Sequence, residues 1–162
     1  MKKQLFAFLI TTTLVTCALA EVTVTQPWIR ATVPQAKASG AFMQLKSDQD
    51  VRLIEVRTNV AGLVQIHQMD MDGQMMKMHA IAGLDLPAGK SVNLASGGYH
   101  IMLMDLKRQL KEGETVALTL IVQKKNKQLE TIALQVPVKA LTYVDPQAKP
   151  AMQHSMQHSV AH

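Results

Sequence analysis

Four residues of this chain have the types and spacing to hold a soft metal ion. His67 is followed after ten residues by Met78, after twenty-one more by His100, and after one more by Met102. Thioether sulfur is a soft, neutral donor, and imidazole is intermediate. Two of each suit Cu(I), which takes soft ligands at low coordination number. Four neutral ligands supply no negative charge to hold Cu(II). Zinc more often selects thiolate or carboxylate, and Asp70 and Asp72 read as turn residues rather than ligands. Taken singly, a histidine on a strand is usually a satisfied polar residue, and methionine is a common filler of irregular core gaps. Met43 reads as such a filler. What favours chemistry is that two His-Met pairs recur, each on one strand face.

The elements that must bring them together are strands. In "VQIHQMDMDGQMMKMHA" an Asp72-Gly73 turn separates two alternating runs. A two-residue type I′ turn there sets Met71 against Gln74. His67 then stands opposite Met78, and Met69 opposite Met76, with Cβ atoms of opposed residues about 4.5–5.5 Å apart. His79 points to the other face. In "GGYHIMLMDLK" a glycine turn leads into a strand whose inner face is Ile101 and Leu103. Its other face reads His100, Met102, Met104, and the spacing of two puts all three side chains on one side. The two elements meeting would complete a His2Met2 site.

Further candidate strands are Val22–Val24, Trp28–Val33, Gly40–Lys46, Arg52–Arg57, Ser91–Leu94, Thr115–Gln123 and Gln128–Val138. The segments ALTLIVQ and TIALQVPV combine β-branched residues with alternation. Short strands at this spacing, punctuated by glycine and proline turns, predict an all-β antiparallel sandwich or barrel. The chain divides into a signal peptide over 1–20, a β-domain over 21–140, and a linker and tail over 141–162. The tail, "AMQHSMQHSVAH", repeats Met-Gln-His-Ser and holds His154, His158 and His162. It lacks bulky apolar periodicity and is expected to be disordered.

MKKQ, an apolar run and Ala18-Leu19-Ala20 make an export signal with cleavage after Ala20. The chain so released is soluble in the periplasm. Cys17, the single cysteine, follows Leu14-Val15-Thr16 in a weak lipoprotein cleavage box. Threonine beside it disfavours cleavage there, so lipid attachment is not expected. Without Cys17 the released chain has neither disulfides nor thiolate ligands. Loss of Lys2 and Lys3 takes the formal charge from +5 to +3. The basic residues are scattered and not interleaved with aromatics, which argues against nucleic-acid binding. There is no convincing nucleophile–base pair and no carboxylate pair in a plausible cleft, so the chain does not read as an enzyme. The electron-transfer copper site of two histidines and a cysteine is excluded by the missing thiolate.

The spacing His67-x10-Met78-x21-His100-x-Met102 resembles the signature of the PCu(A)C family of bacterial periplasmic copper chaperones. "WIRATVPQAKASGAFMQL", "MMKM", "LDLPAGKSVNLASGGYHIMLMDLKRQLKEGETVALTL" and the closing "VPV" extend the similarity from Val22 to Val138. The resemblance implies a cupredoxin-like Greek-key β-sandwich with one Cu(I) held by His67, Met78, His100 and Met102. It implies delivery of copper to the dinuclear centre in the copper domain of cytochrome c oxidase subunit II, alongside a Sco-type thiol protein. The membrane is then met only through the partner. It further implies Cu(II) binding by the C-terminal tail. The departures are Gln68, where the family pattern often allows methionine, and His79 beside Met78. A copper-sequestering protein that stores rather than delivers the metal fits the same residues.

Overall fold

The computed structural model describes residues 22–72 and 75–145, and in them the chain is all-β. Ten strands follow in order: β1 (Val22–Arg30), β2 (Ala38–Ser47), β3 (Val51–Thr58), β4 (Ala61–Asp72), β5 (Met75–Ile81), β6 (Leu84–Leu86), β7 (Ser91–Leu94), β8 (His100–Leu106), β9 (Thr115–Lys124) and β10 (Leu129–Lys139). The His/Met-rich tail lies outside the described residues. The candidate strands at Val22–Val24 and Trp28–Val33 are one strand, β1, whose pairing with β2 slips between Thr25 and Trp28. Gln26 takes a φ of 50° there, just ahead of Pro27, so the interruption is a bulge rather than a strand end. The short β6 has no alternation long enough to announce it, and it forms by pairing with β3.

The strands follow one hydrogen-bonded path, β5-β4-β8-β2-β1-β10-β9-β3-β6, with β7 also paired to β2. Neighbours are antiparallel except β1 and β10, which run parallel at Ile29–Val138 and Arg30–Lys139. That joint divides the path into two halves, and the halves close over one core. The first half contributes Ile29, Ala41, Leu45, Ile66, Ile101 and Leu103; the second contributes Leu53, Val56, Val116, Leu118, Leu120 and Val136. This is the cupredoxin-like sandwich, in which alternate residues of each strand face inward. β8 shows the rule most clearly. Ile101 and Leu103 are fully buried between the halves, while His100, Met102 and Met104 take the other side. Burying one such Leu or Ile side chain stabilises the fold by about 1.5–3 kcal/mol. The same alternation that builds the core therefore sets the imidazole and the thioethers on the outward face. Met43, on β2, is buried in the core as the sequence predicts.

Candidate metal centre

β4 and β8 are neighbours, and their register places His67 directly opposite His100 and Gln65 opposite Met102. β5 lies on the far side of β4. There the sequence expectation is corrected. Asp72 pairs with Met75, His67 with Ala80, and Met69 with Met78. Asp72 is therefore the last paired residue of β4 and not a turn residue. The shift moves each partner by two residues, so no side chain changes face; a slip of one would have turned the whole set over. His67 and Met78 remain on one face as diagonal neighbours, within reach of a long side chain. Met69, not His67, faces Met78 squarely.

All four candidate ligands thus belong to one sheet face. His67 and His100 are buried, at 8% and 6% exposure, whereas Met78 is 50% exposed. The imidazole rings meet edge to face at 5.7 Å between centroids. Nε2 of His100 stands 3.0 Å from the Met78 sulfur, while its Nδ1 lies 3.1 Å from the Gly98 carbonyl. A neutral imidazole has one N–H. If Nδ1 donates it to Gly98, Nε2 presents a lone pair to a sulfur that also offers only lone pairs. A cation shared between them satisfies both. His67 Nε2 lies 3.0 Å from the Gln65 side-chain oxygen, and its Nδ1 is buried with no hydrogen-bond partner. Burial, then the neighbouring His100, then His79, lower the His67 pKa below its ordinary value. That shift favours the neutral ring, the form that ligates metal.

Other residues shape the face. Met102 lines a pocket of about 200 Å³ together with His100, Met69, Phe42, Gly40 and Arg30. Trp28 and Phe42 stack at 4.4 Å, and Phe42 continues toward His100 at 6.5 Å with the rings 28° apart. The Arg30 guanidinium carbon lies 5.5 Å from the Trp28 ring centre and 5.6 Å from that of Phe42. This wall packs beside His100, and Arg30 sets a fixed positive charge on the same pocket, which favours a monovalent over a divalent ion. The Gly98 carbonyl accepts from the Met69 backbone N–H as well as facing His100, tying the loop before β8 to β4. Gly97 reaches that geometry with a φ of 89°, which suits glycine.

None of these supporting residues was assigned a role by spacing. The available signal was Trp28 and Phe42, large aromatics on the strand face that the core does not use. His79 sits on the opposite face, paired to Gln68, with its Nε2 3.7 Å from Asp70. Among the described residues no three His, Cys, Asp or Glu side chains gather as a metal site.

Gly40 pairs with Met102, and a Cβ added to it would stand 2.7 Å from the tip of the Phe42 ring. Gly40→Ala is therefore expected to push that ring off its place beside His100. Overpacking of this kind costs about 1–3 kcal/mol. A urea titration reads the loss of stability, and Cu(I) competition titration should show weakened binding. Stability and binding equal to those of the unaltered chain would mean that Phe42 does not support the histidine.

Residues 22–138 match the family described as "Putative lipoprotein LpqE-like". A "Putative lipoprotein" of Leifsonia xyli subsp. xyli is 29% identical over 61% of this chain, and the chain spans 60% of that relative's length. The solution structure of the Cu(I) form of DR1885 from Deinococcus radiodurans is 31% identical, with a TM-score of 0.54, covering 75% of this chain and 78% of the other. A copper-bound PCuAC domain from PmoF2 shares the fold with a TM-score of 0.59 at 22% identity, covering 76% of this chain and 96% of the domain.

The lipoprotein descriptions correct one expectation, that of a soluble chain with no lipid attached. A lipoprotein needs a cysteine at the end of its apolar leader, and Cys17 stands there, outside the described residues. The unfavourable Thr16 beside it does not rule that cysteine out. A Cys17 carrying a diacylglyceryl group would hold its sulfur as a thioether rather than a free thiol. The family match over nearly the whole β-domain, with the likeness to PCuAC structures, places this chain in the LpqE-like family of PCuAC-type domains.

Proposed function

We propose that this protein is a copper chaperone that binds Cu(I) through His67, Met78, His100 and Met102 and passes it to the dinuclear copper centre of cytochrome c oxidase subunit II. The observation that carries the reading is the approach of His100 Nε2 to the Met78 sulfur at 3.0 Å, beside a second buried imidazole with an unpartnered nitrogen. The copper-bound PCuAC relatives support the choice of metal. Soft, neutral donors favour Cu(I) over harder cations. His67, His100 and the aromatic wall hold the inner side, and Met78 closes the site from the exposed edge strand β5.

That asymmetry suits transfer rather than catalysis. Met78 is the ligand that an incoming thiolate reaches first. Exchange of thioether for thiolate runs toward the stronger, charged donor, and no electron moves. A Sco-type thiol protein can take part in the same exchange. A Cu(II) ion on His154, His158 and His162 would keep a second metal tethered near the domain.

Transfer is tested by mixing the Cu(I)-loaded protein with the metal-free copper domain of oxidase subunit II. Copper is expected to move to the acceptor. Retention by this protein against excess acceptor would contradict delivery and favour sequestration.

A further inference from the structure

The hairpin of β4 and β5 carries more sulfur than the four-ligand centre uses. Met69 pairs directly with Met78, and Met76 lies two residues from Met78 on the same face of β5. Met69 is half-buried, while Met76 and Met78 are 53% and 50% exposed. Directly opposed side chains have Cβ atoms about 4.5–5.5 Å apart, and diagonal pairs such as Met69 and Met76 about 7–8 Å, a span two flexible methionines can close. β5 is the end strand of the path, so this face is open along its outer side. An outward edge strand ordinarily carries charge or proline to discourage pairing. A greasy docking patch would be served as well by valine or isoleucine, which strands prefer. Sulfur at all three positions is what a soft ion requires and what packing does not.

We propose that Met69, Met76 and Met78 form a surface thioether site that captures Cu(I) and hands it inward to His100 through Met78. The inference rests on the four-ligand reading above and extends it outward. Met78 belongs to both sets, since its sulfur faces His100 Nε2 at 3.0 Å. The ion moves by ligand exchange. Its bonds to the Met69 and Met76 sulfurs break as bonds to His67, His100 and Met102 form, Met78 stays attached, and copper remains monovalent throughout. The outer site offers three thioethers and no imidazole, one donor fewer than the inner one, so it binds more weakly and empties into it.

The test is carried out on the full chain with methionine methyls labelled with carbon-13, titrated anaerobically with buffered Cu(I). At substoichiometric metal the Met69 and Met76 methyl signals are expected to shift or broaden along with that of Met78. In Met69→Leu/Met76→Leu, which keeps the apolar volume, loading of the imidazoles is expected to slow several-fold. Met69 and Met76 signals that stay still while those of Met78 and Met102 move would overturn the surface site and leave the four-ligand centre standing. Unchanged loading in the leucine variant would overturn the handover. Movement of Met69 and Met76 with neither imidazole perturbed would keep the surface site and remove the four-ligand reading instead.

Discussion

His100→Ala is expected to weaken Cu(I) binding by more than the ~10–100-fold that loss of an outer-shell partner costs a metal site. His100 is the hub of the centre. Its Nδ1 is steadied by the Gly98 carbonyl, its Nε2 faces Met78, and its ring meets those of His67 and Phe42. Alanine removes a proposed ligand and also the ring that faces the Met78 sulfur. Competition titration against a Cu(I) chelator measures the loss. Met104→Leu is the matched control. Met104 shares the β8 face with Met102 but pairs with Leu63 and Ala38, away from the histidines. It should bind as the unaltered chain does. Equal loss in both variants would mean that the effect comes from β8 packing and not from ligation.

The second large effect is on stability. Leu103→Ala is expected to cost about 2–5 kcal/mol, because truncating a fully buried leucine removes its transfer energy and leaves a cavity that the surroundings only partly fill. Leu103 is fully buried between the two halves, and it lies next to Met102 on the strand that carries two of the four candidate ligands. Urea denaturation should show the midpoint falling with little change in slope. A loss below about 1 kcal/mol would contradict the assignment of Leu103 to a tightly packed core.

Much of this was legible in the sequence because strands encode their faces in a period of two. The alternation of Ile101 and Leu103 with His100, Met102 and Met104 identified β8, its inner side and its chemical side together. The same logic placed His79 away from Met78. Register was harder. Two turn solutions exist in "DMDGQM", and local chemistry favoured Asp72-Gly73 over Gly73-Gln74. The direct partner of Met78 was therefore misassigned as His67, while the shared face survived because the shift was even. β6 was missed because three residues carry no usable period; its existence depends on the pairing with β3. The wall of Trp28, Arg30 and Phe42 was hidden for a related reason. These residues are distant from the ligands in sequence, and only the β8-β2-β1 order brings them beside His100. Lipid attachment was not legible because a single unfavourable neighbour, Thr16, masks an otherwise usable leader ending at Cys17.

The central claim is that one Cu(I) ion joins two imidazoles and two thioethers on a single sheet face. X-ray absorption at the copper edge, on full-length protein loaded with one equivalent of Cu(I), addresses it most directly when compared with Met78→Ala. The account predicts a first shell of nitrogen and sulfur scatterers, with sulfur scattering falling in the variant. A shell of nitrogen and oxygen alone, or a sulfur shell that Met78→Ala leaves untouched, would contradict it.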